Sequence, residues 1–122
     1  MREISDFTGL VVEDEWLLRL ELVEELTRAG WQVVQAATGE EALGVLERGE
    51  RLDFLVTDIR LPGAVDGWQV AQSARSRYPA LPVVYVSANP IHEERRVAGS
   101  IFLSKPCDIG VLLKTCDKLV RG

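Results

Sequence analysis

The chain has 122 residues, 47% of them hydrophobic and 27% charged, which is the size and balance of one globular domain and excludes a disordered, collagen-like or disulfide-built chain. Fourteen basic against nineteen acidic residues leave a net charge of −5, which argues against a nucleic-acid-binding surface, because that needs a basic face to neutralise phosphates. Only Cys107 and Cys116 carry thiols and His92 is the only histidine, so neither a disulfide framework nor a zinc site is expected. The start of the chain lacks the pattern of a signal peptide. No apolar run approaches the roughly 20 residues that span a bilayer. A cytoplasmic protein with no membrane insertion is the expectation.

In chain order, Leu10-Val11-Val12 is a short apolar run that ends in acids, and Leu18, Leu22 and Leu26 then recur at helical spacing up to Gly30. Trp31-Gln32-Val33-Val34 predicts a second strand. Thr38-Gly39-Glu40-Glu41 has capping-box spacing before a helix carrying Ala42, Val45 and Leu46 and stopping at Gly49. Phe54-Leu55-Val56 predicts a third strand, followed by a Pro/Gly-bearing loop and a helix with Gly67, Val70, Ala71 and Ala74 on one face. Val83-Val84-Tyr85-Val86 is continuously apolar, as expected for a central strand covered by helices on both sides. The stretch from Pro90 to Val97 is polar and predicts at most a short helix, before a fifth strand at Ile101-Phe102-Leu103. Ile109, Leu112, Leu113, Cys116 and Val120 form the stripe of a last amphipathic helix.

Strands that alternate with helices predict an α/β fold with a doubly wound parallel sheet, since parallel neighbours need crossover connections and right-handed crossovers place helices on both faces. Ligands of such sheets bind beyond the carboxyl ends of the strands. The residues there are Glu13 and Asp14 after the first strand, Asp58 after the third, Ser87 after the fourth and Lys105 after the fifth. Three carboxylates together repel unless a cation compensates, and Mg²⁺ takes oxygen ligands of this kind. Lys105 adds a point charge for phosphoryl oxygens and Ser87 a hydroxyl donor. No glycine-rich phosphate loop is present, so nucleotide binding has no support. A carboxylate that accepts a phosphoryl group fits better, with Asp58 as the nucleophile.

Leu10-Val11-Val12-Glu13-Asp14-Glu15, Val56-Thr57-Asp58-Ile59-Arg60-Leu61-Pro62 with Asp66-Gly67, Val86-Ser87-Ala88 and Lys105-Pro106 together resemble the receiver domain of two-component response regulators. The resemblance covers nearly the whole chain, as one receiver domain over 1–122. It implies a flavodoxin-like (βα)5 fold with strand order 2-1-3-4-5. It implies Asp58 as phosphoacceptor and Mg²⁺ held by Glu13, Asp14, Asp58 and the backbone carbonyl of Arg60. Lys105 would pair with the acceptor or the phosphate. Ser87 would move onto the phosphoryl group while Phe102 changes rotamer, and Arg60 and Asn89 would tune phosphoryl lifetime. The implied partners are a sensor histidine kinase or histidine phosphotransfer protein and a downstream protein. In the family the Lys-Pro bond is typically cis, which would place a cis bond at Lys105-Pro106.

Two departures stand out. One residue is inserted between Asp58 and Asp66-Gly67, and the stretch from Ser87 to Lys105 is several residues short, so a short or distorted fourth helix is expected and homodimerisation through that face is not. Taken singly, Asp14 reads as a helix N-cap, Asp58 as a loop residue, Lys105 as a surface lysine and His92 as an exposed polar residue, and a cap of the next helix is the alternative role for Ser87. Trp16, Trp31 and Trp68 read as packing or helix-edge residues, with a partner contact as the alternative for Trp68. The competing functions are a Mg²⁺-dependent aspartyl-phosphate phosphatase or phosphotransferase, which lacks a second acid after Asp58, and a phosphorylation-independent interaction domain.

Overall fold

The computed structural model describes residues 3, 6–88 and 92–121. Five strands, β1 (Thr8–Val12), β2 (Gln32–Ala36), β3 (Phe54–Thr57), β4 (Val83–Ser87) and β5 (Ile101–Ser104), form one parallel sheet in the order β2-β1-β3-β4-β5. The helices are α1 (Trp16–Arg28), α2 (Gly39–Glu47), α3 (Gly67–Arg77) and α4 (Ile109–Arg121).

The apolar runs are continuous because the sheet is buried on both sides and successive side chains point to opposite faces. Leu10, Val12, Leu55, Val83 and Tyr85 meet α2 and α3 in one core. Val11, Phe54, Val56, Val84 and Val86 meet Leu22 and Leu26 of α1 and Leu112 and Cys116 of α4 in the other. Edge positions show less burial, as in β2, where Gln32 and Gln35 are exposed. Aromatic edges add specificity: Trp31 stands edge-on to Phe54 at 5.0 Å, and Trp68 to Tyr85 at 4.8 Å.

The helix starts follow from local chemistry. The Thr38 hydroxyl accepts from the Glu41 amide, while the Glu41 carboxylate reaches back one residue beyond the expected box, to the Ala37 amide. Asp66 and Gln69 form a full capping box at α3. α1 is different: its N-cap is Glu15, with no side-chain cap, so Asp14 is not the N-cap that its position alone suggests. Trp31 and Trp68 are packed, whereas Trp16, the first residue of α1, is 66% exposed, because the inward stripe of α1 runs through Leu22 and Leu26 and leaves Trp16, Leu17 and Leu20 outside.

Among its described residues the fourth crossover holds one regular element, a 3-10 turn, Glu93–Arg95, preceded by His92 in the left-handed region at φ 61°. Where a short helix was expected, the described residues form a three-residue turn, and the predicted start at Pro90 lies outside the described residues. Too few residues remain for a full helix, so hydrogen bonds replace helix packing. The Gln72 side-chain amide donates to the Arg95 carbonyl at 3.0 Å, Arg95 pairs with Asp66 at 3.0 Å, and the Val97 amide donates to the Tyr85 hydroxyl at 3.1 Å.

Burial pushes the Cys116 thiol up to about 12 from its ordinary 9.0. Above pH 9 the unfolded state loses this proton while the native state keeps it, so stability falls as pH rises, by up to about 1.4 kcal/mol per unit from this group. Tyr85, also raised by burial, adds to the same alkaline limb. Cys116→Ala should lose less stability than wild type between about pH 8 and about pH 10 by denaturant titration; equal losses would assign the limb to other groups.

Candidate functional site

Three sheet ladders run one residue beyond the strands and so place three chemical groups side by side. The Glu13 amide donates to Ala36 O at 3.0 Å, the Asp58 amide to Val12 O at 3.0 Å, and the Lys105 amide to Ser87 O at 3.0 Å. Each backbone is held by the neighbouring strand, which is why these side chains share the carboxyl edge of the sheet.

Lys105 Nζ lies 2.7 Å from Asp58 Oδ2 and 2.9 Å from Glu13 Oε1. The second oxygens are held by backbone: Asp58 Oδ1 accepts from the amides of Ile59 at 2.6 Å and Arg60 at 3.3 Å, and Glu13 Oε2 accepts from Glu15 at 3.1 Å. Glu13 and Asp58 are buried and Asp14 is exposed. Burial raises the Glu13 pKa above its ordinary value against the pull of Lys105. Burial would lower the Lys105 pKa, but hydrogen bonds and charge from Asp58 and Glu13 outweigh it and hold the ammonium above its ordinary value.

Carboxylate oxygens of Glu13, Asp14 and Asp58 lie within 4.8 Å of one another. Three negative charges against one lysine leave an excess of two, and all donors are hard oxygens. Such a set fits a divalent cation of the Mg²⁺ kind, which binds few carboxylates and keeps several waters.

Beside this cluster is a cleft of about 120 Å³ lined by Asp58, Arg60, Ser87, Ala88 and Lys105. It is well below the roughly 300–1,000 Å³ of ordinary small-molecule pockets. The wider groove between α2 and α3, about 500 Å³, is lined by Leu43, Leu46, Glu47, Ser73, Ser76 and Arg77 and includes none of Glu13, Asp14 and Asp58. Ser87 is buried at the end of β4 and caps no described helix, and Lys105 is an ion-pair partner, not a solvated surface lysine. The Lys105-Pro106 bond is cis. Phe102 is half-buried opposite Tyr85, against the core shared with α2 and α3. Asn89 lies outside the described residues, and His92 is exposed.

In the loop between Asp58 and Asp66, Gly63 turns at φ 90°. The loop there rests on α2: the Ala64 amide donates to Glu40 Oε2 at 2.9 Å. Neither this brace nor Arg19 emerges from the sequence. Arg19 Nη1 donates to Glu13 O at 2.8 Å and its Nε to Gln35 Oε1 at 3.1 Å. Its place on the first turns of α1, just after two acids, was the available signal, but its partner Gln35 lies on another strand.

The family model described as the response regulator receiver domain matches residues 10–117. The chain is 34% identical over 115 residues to the sensor histidine kinase RcsC of Salmonella typhimurium, covering 91% of this chain and 12% of the relative. It is 35% identical over 117 residues to the response regulator protein FleR of Pseudomonas aeruginosa, covering 93% of this chain and 24% of the relative. The chain thus spans a minor part of both curated relatives. Among solved structures, a response regulator receiver protein from Sinorhizobium medicae superposes with a TM-score of 0.90 at 36% identity, covering 95% of each chain. The receiver domain of the hybrid histidine kinase CckA superposes at 0.80 and 33% identity, covering 93% of this chain and 98% of that one. No described helix is long and apolar enough to cross a membrane.

Proposed function

Because this chain belongs to the response regulator receiver family, we propose that it acts as a single receiver module over 1–122, taking a phosphoryl group onto Asp58 from a phosphohistidine of a sensor histidine kinase or histidine phosphotransfer protein. The carrying observation is the Asp58 carboxylate, pinned by two amides on one oxygen and by Lys105 on the other, at the mouth of a phosphoryl-sized cleft.

An Asp58 oxygen attacks phosphorus in line, the bond from phosphorus to the donor's imidazole nitrogen breaks, and the imidazole leaves with the electron pair. The fixed amides and the lysine need little rearrangement to serve the transition state. Lys105, 2.7 Å from Asp58 before transfer, turns its ammonium to a phosphoryl oxygen afterwards. Ser87 donates its hydroxyl to another, and Phe102 follows it inward, which changes the surface around β5 and α4. Glu13, Asp14, Asp58 and the Arg60 carbonyl would hold Mg²⁺. When bound, the ion neutralises the charge that grows on the phosphoryl oxygens. Arg60, on the cleft wall, and Asn89 set how easily water reaches the phosphoryl group, and the module turns over no outside product. A phosphatase reading lacks support, since among the described residues that line the cleft Asp58 is the only acid.

The test is incubation with Mg²⁺ and acetyl phosphate followed by intact-mass measurement. The expected result is the gain of one phosphoryl group, abolished by EDTA and restored by excess Mg²⁺. No gain in folded protein would overturn the proposal in favour of a phosphorylation-independent interaction domain.

A further inference from the structure

We propose that Arg19 is a positioning residue for the cation site: by bridging the Glu13 carbonyl to Gln35 of β2, it sets the peptide from which the Asp14 carboxylate projects. The inference rests on the Mg²⁺ reading above and concerns how this chain builds that site.

An arginine beside a cluster of acids would ordinarily pair with a carboxylate. Arg19 instead gives Nη1 to the neutral Glu13 carbonyl at 2.8 Å and Nε to the neutral Gln35 side chain at 3.1 Å. Two fixed donors of one planar group orient the loop more strictly than a single ammonium does. Around this peptide the backbone is already held upstream, by the Glu13 amide on Ala36 O, and the Glu13 side chain is held by the Glu15 amide and Lys105. The Glu13–Asp14 peptide itself gains its hold from Arg19. Asp14 is exposed, in contrast to Glu13 and Asp58, which are buried against their partners. Its placement therefore depends on the backbone that Arg19 grips.

Charge and position predict opposite signs, which makes the inference testable. Arg19 is a cation next to the acid-bearing loop, so removing its charge alone would strengthen Mg²⁺ binding. Removing a positioning contact weakens it; groups that orient metal ligands typically contribute roughly 10- to 100-fold in affinity.

The measurement is Mg²⁺ titration by calorimetry on wild type, Arg19→Ala, Arg19→Lys and Gln35→Leu, with thermal melts in EDTA. Expected are a roughly 10-fold weaker Kd for Arg19→Ala, partial recovery for Arg19→Lys, and a smaller weakening for Gln35→Leu, which leaves the charge in place. The melts in EDTA should nearly coincide, which separates positioning from a general loss of fold. Tighter or unchanged binding in Arg19→Ala, with wild type binding normally, would overturn this inference and leave the Mg²⁺ site standing. A wild type that binds no Mg²⁺ would overturn both.

Discussion

Asp58→Asn is expected to lose phosphoryl uptake completely while keeping the fold. Asparagine matches the shape of aspartate, and its side-chain oxygen still accepts from Ile59 and Arg60, whose amides lie 2.6 Å and 3.3 Å from Oδ1 in the native site. The other oxygen becomes an amide nitrogen, which is a poor nucleophile and faces Lys105 without charge attraction. Little destabilisation should follow. Lys105 retains its 2.9 Å pair with Glu13, and removal of Asp58 charge eases the repulsion that helps raise the Glu13 pKa. A change within about 1–2 kcal/mol is expected, because breaking one arm of a buried pair is offset by that relief. Intact mass after acetyl phosphate should show no gain, beside a melt close to wild type. Mg²⁺-dependent gain in this variant would mean that another side chain is the acceptor.

Gly67→Ala should give the largest loss of stability among small substitutions. Gly67 opens α3 directly against the end of β3, with its amide on Ile59 O at 2.8 Å. An added Cβ would lie 1.9 Å from the Asp58 carbonyl oxygen and 2.7 Å from Ile59 Cα, all backbone atoms that no rotamer change can move aside. Either α3 or the Asp58 peptide must shift. Overpacking of this kind costs about 1–3 kcal/mol and occasionally more; the upper end is expected here, with a fall in Tm on the order of 10 °C. The rate of phosphoryl uptake should fall as well, since the shift is applied to the acceptor's own peptide. Gly44→Ala is the contrasting case: it lies within α2 with nothing within 4 Å of its Cβ, so a gain of about 0.5–1 kcal/mol is expected. Thermal melts of the two variants and wild type check the pair; equal Tm values for Gly67→Ala and wild type would refute the crowding.

Much of the fold was legible in the chain because it is written in local periodicity. Leu10-Val11-Val12 and Val83-Val84-Tyr85-Val86 read as strands buried on both faces, and their alternate side chains do divide between the two cores. The fourth crossover was legible only as a shortage of residues. What fills it, a 3-10 turn strapped to α3 through Arg95–Asp66 and Gln72, depends on partners more than 20 positions away. Trp16 and Trp68 show the same limit. They are alike in sequence, yet one is exposed and the other packs on Tyr85, because helix orientation against the sheet separates them.

The candidate site divides along the same line. By itself the sequence determined the order of strands and helices and the presence of Glu13, Asp14, Asp58, Ser87 and Lys105 just where strands end, since residue type and spacing along the chain are enough for that. Only the tertiary structure decided which of them touch. It joined Lys105 to both Asp58 and Glu13, released Asp14 from capping α1, pressed Gly67 onto the Asp58 carbonyl and carried Arg19 across to Gln35. The physical reason is that the periodicity that marks a strand or helix is settled by residues a few positions apart, whereas these contacts exist only once crossover connections bring distant segments to one edge of the sheet.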